Sequence, residues 1–217
     1  MKVIVYIILS LLITVQSGCL SMTTQQSGRT VGRSNLELMA NATNGRYSHN
    51  SIFDDEEYDH KPVIEIGGTY GLLNNLDLTV KFNSATFLST QAKYQFIGNR
   101  ESLFATSIGA EAGFVPLYTF VGIMDYYVSM PLFASLHPHE KISLFLTPRY
   151  VFASSSTFAH PDNAVPEPPK RFSFVGNAYG IIIGKKHKGI LEIAHFDRRI
   201  TRPTQVTLGY VVTIRSK

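Results

Sequence analysis

The segment Asp54–Asp59 places five carboxylates in six positions. Oxygen ligands at that density can hold a hard divalent cation, which makes Asp54, Asp55, Glu56, Glu57 and Asp59 candidate metal ligands. The run has neither the spacing nor the turn glycine of a calcium-binding loop, and a solvated acidic loop is the alternative. The histidines raise a second chemistry. His160 follows Ser154–Ser156, and His195 precedes Asp197. A hydrolase would use such groups as nucleophile, base and orienter, but a triad is defined by geometry, and neither spacing is diagnostic. His137, His139 and Glu140 fall together in "HPHEK", either as metal ligands or as a polar turn around Pro138. The chain has no Walker-type phosphate loop and no CxxC pair. No cofactor and no enzymatic activity are expected.

Cys19 is the one cysteine of 217 residues. It follows Lys2 and a 13-residue apolar run, Val3–Val15, which is too short for a membrane-spanning helix and suits a secretory signal. Two cleavage readings stand. Ordinary signal peptidase cuts near Ser17-Gly18 and the thiol is incidental, or Cys19 becomes a lipidated first residue. Ser17-Gly18-Cys19 resembles a bacterial lipoprotein signal, with Gln16 where an aliphatic residue is usual. A lone thiol has no disulfide to make within the chain. The expected organisation is a signal peptide over 1–18, a flexible tether over 19–33 (rich in Ser, Thr and Gln) and one domain over 34–217.

The formal charge is +4, and charged residues are 17% of the chain. No run of Lys and Arg has the length of a nucleic-acid arm, so nucleic-acid binding is not expected. Beyond residue 19 the recurring signal is alternation with period two. In "NNLDLTVKFN", Leu76, Leu78, Val80 and Phe82 face one way, and Asp77, Thr79, Lys81 and Asn83 the other. "TQVTLGYVVTI" repeats the pattern near the end of the chain. Ten strands are predicted: about 34–42, 63–71, 76–83, 86–97, 102–114, 124–137, 141–153, 172–184, 189–197 and 204–214. Eight crossing strands with two packed elsewhere is the alternative count. Tight connections such as "HPHEK" and "GKKHKG" alternate with mostly longer ones, the order of an up-and-down meander.

Alternation alone does not say which face meets water. The polar face carries Glu37, Glu65, Lys81, Lys93, Glu111, Arg149 and Glu192 at mid-strand. Aromatic residues collect near the long connections (Phe82, Phe87, Phe114, Tyr126, Phe152, Phe172, Phe196) and near the short ones (Tyr70, Tyr94, Phe96, Phe104). Two belts at opposite ends match the interfacial girdles of membrane barrels.

On "LDLTVKF", "TQAKYQFI", "ISLFLTPRYVF" and "TQVTLGYVVTI", over about Asn35–Ile214, the chain resembles the bacterial outer-membrane β-barrel proteins. It ends Ile-Arg-Ser-Lys, where such proteins often end on an aromatic residue. The resemblance implies an all-β, antiparallel up-and-down transmembrane β-barrel, with termini and short turns periplasmic and long loops outside. It implies outer-membrane lipids, lipopolysaccharide and the outer-membrane assembly machinery as partners, and it leaves the oligomeric state open. Charges enclosed in so narrow a barrel must pair, so Glu37, Glu65, Glu111 and Glu192 are expected to network with Lys81, Lys93 and Arg149. The lumen is then plugged or very narrow, and the role structural or one of surface interaction. Two other classes compete: a soluble periplasmic lipoprotein barrel holding a hydrophobic ligand, and a barrel enzyme acting on lipid A or phospholipid.

Overall fold

The computed structural model describes residues 23–48, 58–83, 87–115, 125–155, 170–197 and 204–215. These residues form ten strands: β1 (Asn35–Ser48), β2 (Tyr58–Leu73), β3 (Leu76–Asn83), β4 (Phe87–Ile97), β5 (Phe104–Val115), β6 (Asp125–His139), β7 (Ile142–Ser155), β8 (Lys170–Gly184), β9 (His187–Asp197) and β10 (Thr204–Arg215). Each strand pairs antiparallel with its neighbours in the sequence. β1 also pairs with β10, from Asn35 opposite Arg215 to Gly45 opposite Gln205, which closes the barrel. Closure leaves no edge strand, so every strand has a ladder on both sides.

All ten predicted strands are present. β1 and β2 run beyond their predicted limits, because "NGRYS" and "YDHKP" look like turn sequence yet continue the ladder, with Tyr47 opposite Asp59. Two-residue connections join β2 to β3, β6 to β7 and β8 to β9. The start of β1 and the end of β10 lie at that same end of the barrel.

The wall is inverted relative to a water-soluble barrel. Large apolar side chains stand outward on every strand, among them Leu38, Ile66, Leu78, Tyr94, Ile108, Met130, Leu144, Val175, Leu191 and Leu208. Leu208 is 65% exposed, whereas Lys81, Lys93, Glu65 and Glu192 are each at most 2% exposed. Phe82, Phe114, Tyr126 and Phe152 face outward near one rim, and Tyr70, Tyr94, Phe96 and Phe104 near the other. Phe196 does not join its expected belt. It lies inside, with its ring 6.0 Å from that of Phe174 in a T-shaped contact. The reason is parity: Phe196 is four residues from Glu192 on β9, so both point to the same face. The side chains of Phe87 and Phe172 lie outside the described residues.

Aromatic rings inside the barrel rest on glycines of the adjoining strand. Tyr127 covers Gly113, Phe196 covers Gly176 and Phe145 covers Gly180; a Cβ at Gly113 would stand 2.2 Å from the Tyr127 ring. The ring takes the volume that the glycine leaves, which locks the register of each pair.

Candidate functional site

Residues Thr23–Ser34 enter the barrel instead of hanging free as a tether. They climb from the short-turn end into the lumen, and Thr23, Thr24, Gln25, Gln26, Thr30 and Val31 are buried there. Composition suggested a linker because Ser, Thr and Gln solvate readily. Inside a polar lumen the same side chains and their main chain find wall partners. Cys19 and the rest of residues 1–22 lie outside the described residues.

This strap turns into β1 through Gly32 at φ 81° and Ser34 at φ 60°, the left-handed region that glycine adopts freely. Ser34 donates its N–H to the Gly71 carbonyl at 2.8 Å. A side chain at Gly71 would place its Cβ 2.0 Å from the Gly32 carbonyl oxygen, so the bare wall there is what admits the strap. Gly28 is equally tight, with a Cβ 2.3 Å from the Ala105 carbonyl oxygen.

The wall addresses the strap mainly through its main chain. Glu192 accepts the N–H groups of Thr24 at 2.9 Å and Gln25 at 2.6 Å, and the Thr24 hydroxyl at 3.0 Å. Gln25 has φ 50°, and consecutive N–H groups converge on the carboxylate as in a backbone nest. Ser135 accepts the Gly28 N–H at 2.9 Å, Gln95 that of Thr30 at 2.9 Å, and Asp77 that of Val31 at 3.1 and 3.2 Å. The cations take carbonyls: Lys81 donates to Thr23 at 3.2 Å, and Lys93 to Arg29 at 2.9 Å and Ser27 at 3.3 Å. Ser107 donates to the Gly28 carbonyl.

The charge network is partly the expected one. Lys81 pairs with Glu111 at 3.0 Å, and Arg149 stands 3.9 Å from the same carboxylate. Tyr127 adds a hydroxyl at 3.1 Å. Glu65 faces Thr23 and Asn83, each at 3.4 Å. Glu192 departs from the expectation, being held by strap N–H groups. Lys93 pairs with Asp77 at 3.3 Å, a carboxylate that the alternation also places on the polar face but that lies outside the expected network. Glu37 is half-buried at the short-turn mouth, where it binds Lys188 and Thr213.

The other candidates do not converge. Asp54–Glu57, Ser156 and His160 lie outside the described residues, as do the side chains of Asp59 and Asp197. His195 is on the outer face, 3.1 Å from the Thr204 hydroxyl. His137 points inward between Ser135 at 2.8 Å and Ser143 at 2.6 Å, while His139 is exposed and Glu140 pairs with Lys185. That hydrogen bond from Lys185 holds the Glu140 carboxyl below its ordinary range. The Ser135–His137 contact resembles half of a triad, but hydroxyls hold both ring nitrogens and Gly28 already engages Ser135. Among the described residues no group of three or more His, Cys, Asp or Glu could hold a metal.

No family model matches the chain, and no curated protein matches it. Among solved structures it is similar to the attachment invasion locus protein Ail of Yersinia pestis, at 9% identity and TM-score 0.39, over 84% of this chain and 99% of that one. The N-terminal β-barrel domain of Pseudomonas aeruginosa OprF matches at 7% identity and TM-score 0.40, over 84% and 99%. Neisserial surface protein A matches at 12% and 0.38, over 82% and 96%. Identities and scores of this order leave the assignment of the present chain resting on its own geometry.

Proposed function

We propose that this chain is a small bacterial outer-membrane β-barrel with a closed lumen, and that its role is structural or one of surface interaction through the long connections. The observation that carries this reading is the inverted wall. An outward apolar face bounded by two aromatic belts is stable against lipid and costly against water. The lumen is occupied by the strap, the buried charges and two clusters of apolar side chains, which counts against a soluble barrel with a hydrophobic ligand inside. It also counts against a porin. The short-turn end, which holds the start of β1 and the end of β10, faces the periplasm in this reading, and the long loops meet lipopolysaccharide. Lipidation of Cys19 would add an anchor independent of the barrel.

The test is extraction of a Cys19→Ala variant exported by an ordinary cleavable signal. Outer membranes are washed with alkaline carbonate or urea. Protein that stays in the pellet and needs detergent has its strands in the bilayer. Protein that washes off while the Cys19 form stays was held by acyl chains alone, and the membrane assignment of the wall is then wrong.

A further inference from the structure

We infer that the lumen is a peptide-binding site that reads main chain, filled in cis by Thr23–Gly32 and able to take a polar peptide of the same path in trans once that strap is displaced. Three observations lead there. The first is the division of labour on the wall: acceptors (Glu192, Ser135, Gln95, Asp77) face strap N–H groups, and donors (Lys81, Lys93, Ser107) face strap carbonyls. Such groups recognise a chain that follows the strap's path, with its left-handed turn at Gln25.

The second is that the barrel bonds the side chains of Thr23, Thr24, Gln26, Arg29 and Thr30 but leaves that of Gln25 unread. The Gln25 amide is buried with neither its nitrogen nor its oxygen bonded, and the Gln26 carbonyl oxygen is likewise unbonded. Identity at Gln25 therefore contributes nothing that the wall detects. What the wall demands is smallness at Gly28, set by the Ala105 carbonyl.

The third is covalent. One joint, Gly32–Ser34, ties the strap to β1, and no strap residue belongs to the ten strands. The barrel ladder is complete without it.

The experiment uses the chain from residue 19 with Cys19→Ser, folded in detergent micelles, so it does not depend on whether the wall meets lipid in the cell. A fluorescent peptide TTQQSGRTVG is the probe. Gly28→Val and, separately, deletion of residues 23–31 displace the strap; folding is followed by heat-dependent mobility on SDS gels. Both variants should bind the peptide saturably, while the parent, already occupied, should not. N-methylation at the Gln25 position of the peptide should weaken binding about tenfold or more, because it removes a charge-assisted hydrogen bond. Replacing Gln25 of the peptide by Ala should leave binding unchanged. Absence of binding by both folded variants overturns the inference. So does binding that tolerates N-methylation but not the Ala change. If neither variant folds, the strap is a fixed part of the barrel and the inference also fails.

Discussion

Replacing Ile66 by Arg separates a wall in lipid from a wall in water by the sign of the effect. Ile66 is 56% exposed on the outer face of β2, between Ala40 and Phe82 of the flanking strands. It stands seven residues from Leu73 and eight from Tyr58 on that strand. At ~3.4 Å per residue and ~40° of tilt, it lies about 18 Å above the short-turn end. Tyr70, three residues from Leu73, lies about 8 Å above it by the same arithmetic. The apolar band of such barrels is ~25 Å tall between its girdles, so Ile66 sits near mid-band and Tyr70 at the edge. Ile66→Arg should then cost about 2–4 kcal/mol, and Tyr70→Arg about 0–1 kcal/mol. The assay is urea unfolding of the barrel in phospholipid vesicles, with the folded fraction read by gel mobility. In water an exposed Ile on a strand gains or loses little on becoming Arg. An Ile66→Arg protein of unchanged stability that remains monomeric without detergent would refute the lipid-facing assignment.

Three further outcomes follow from the lumen. Lys81→Met should destabilise by about 3–5 kcal/mol, because Glu111 keeps only Tyr127 and a distant Arg149, while the double change Lys81→Met/Glu111→Leu should recover much of the loss in the same unfolding assay. Gly113→Ala drives a methyl group into the Tyr127 ring and should cost about 1–3 kcal/mol, whereas the same change made in a Tyr127→Ala background, itself destabilised, should add little. Glu192→Gln removes the negative acceptor of three strap donors; hydrogen exchange at the Thr24 and Gln25 amides should accelerate about tenfold or more, with exchange in the β-ladders unchanged.

The wall was legible in the sequence because the two-residue period of a strand writes each face directly into the chain. Val80 and Lys81 are neighbours on opposite sides of the barrel, and no tertiary information is needed to see it. The same logic placed Lys81, Lys93, Glu111 and Arg149 inside together. It also conflicts with a place for Phe196 in a lipid belt, since Glu192, four residues away on the same strand, belongs to the polar face. The strap was not legible. It has no period, and its Ser, Thr and Gln residues are the composition of a linker. A trace of it existed in the charge count: four carboxylates (Glu37, Glu65, Glu111, Glu192) faced three cations (Lys81, Lys93, Arg149), and a buried carboxylate left over needs other donors. Those donors are backbone N–H groups, which every sequence carries and none advertises.

The strap also carries an order of events. Its N–H groups are taken by acceptors ever further along the chain: Val31 by Asp77, Thr30 by Gln95, Gly28 by Ser135, and Thr24 and Gln25 by Glu192, at separations of 46, 65, 107 and 168 or 167 residues. In an assembly that adds strands in chain order, the caps nearest β1 are within reach before the later strands have joined. The Glu192 clamp forms only when β9 arrives, shortly before β10 meets β1. A barrel built in this order encloses the strap as the seam shuts, and the Glu192 clamp on Thr24 and Gln25, fastened last among these contacts, is the one that would open first.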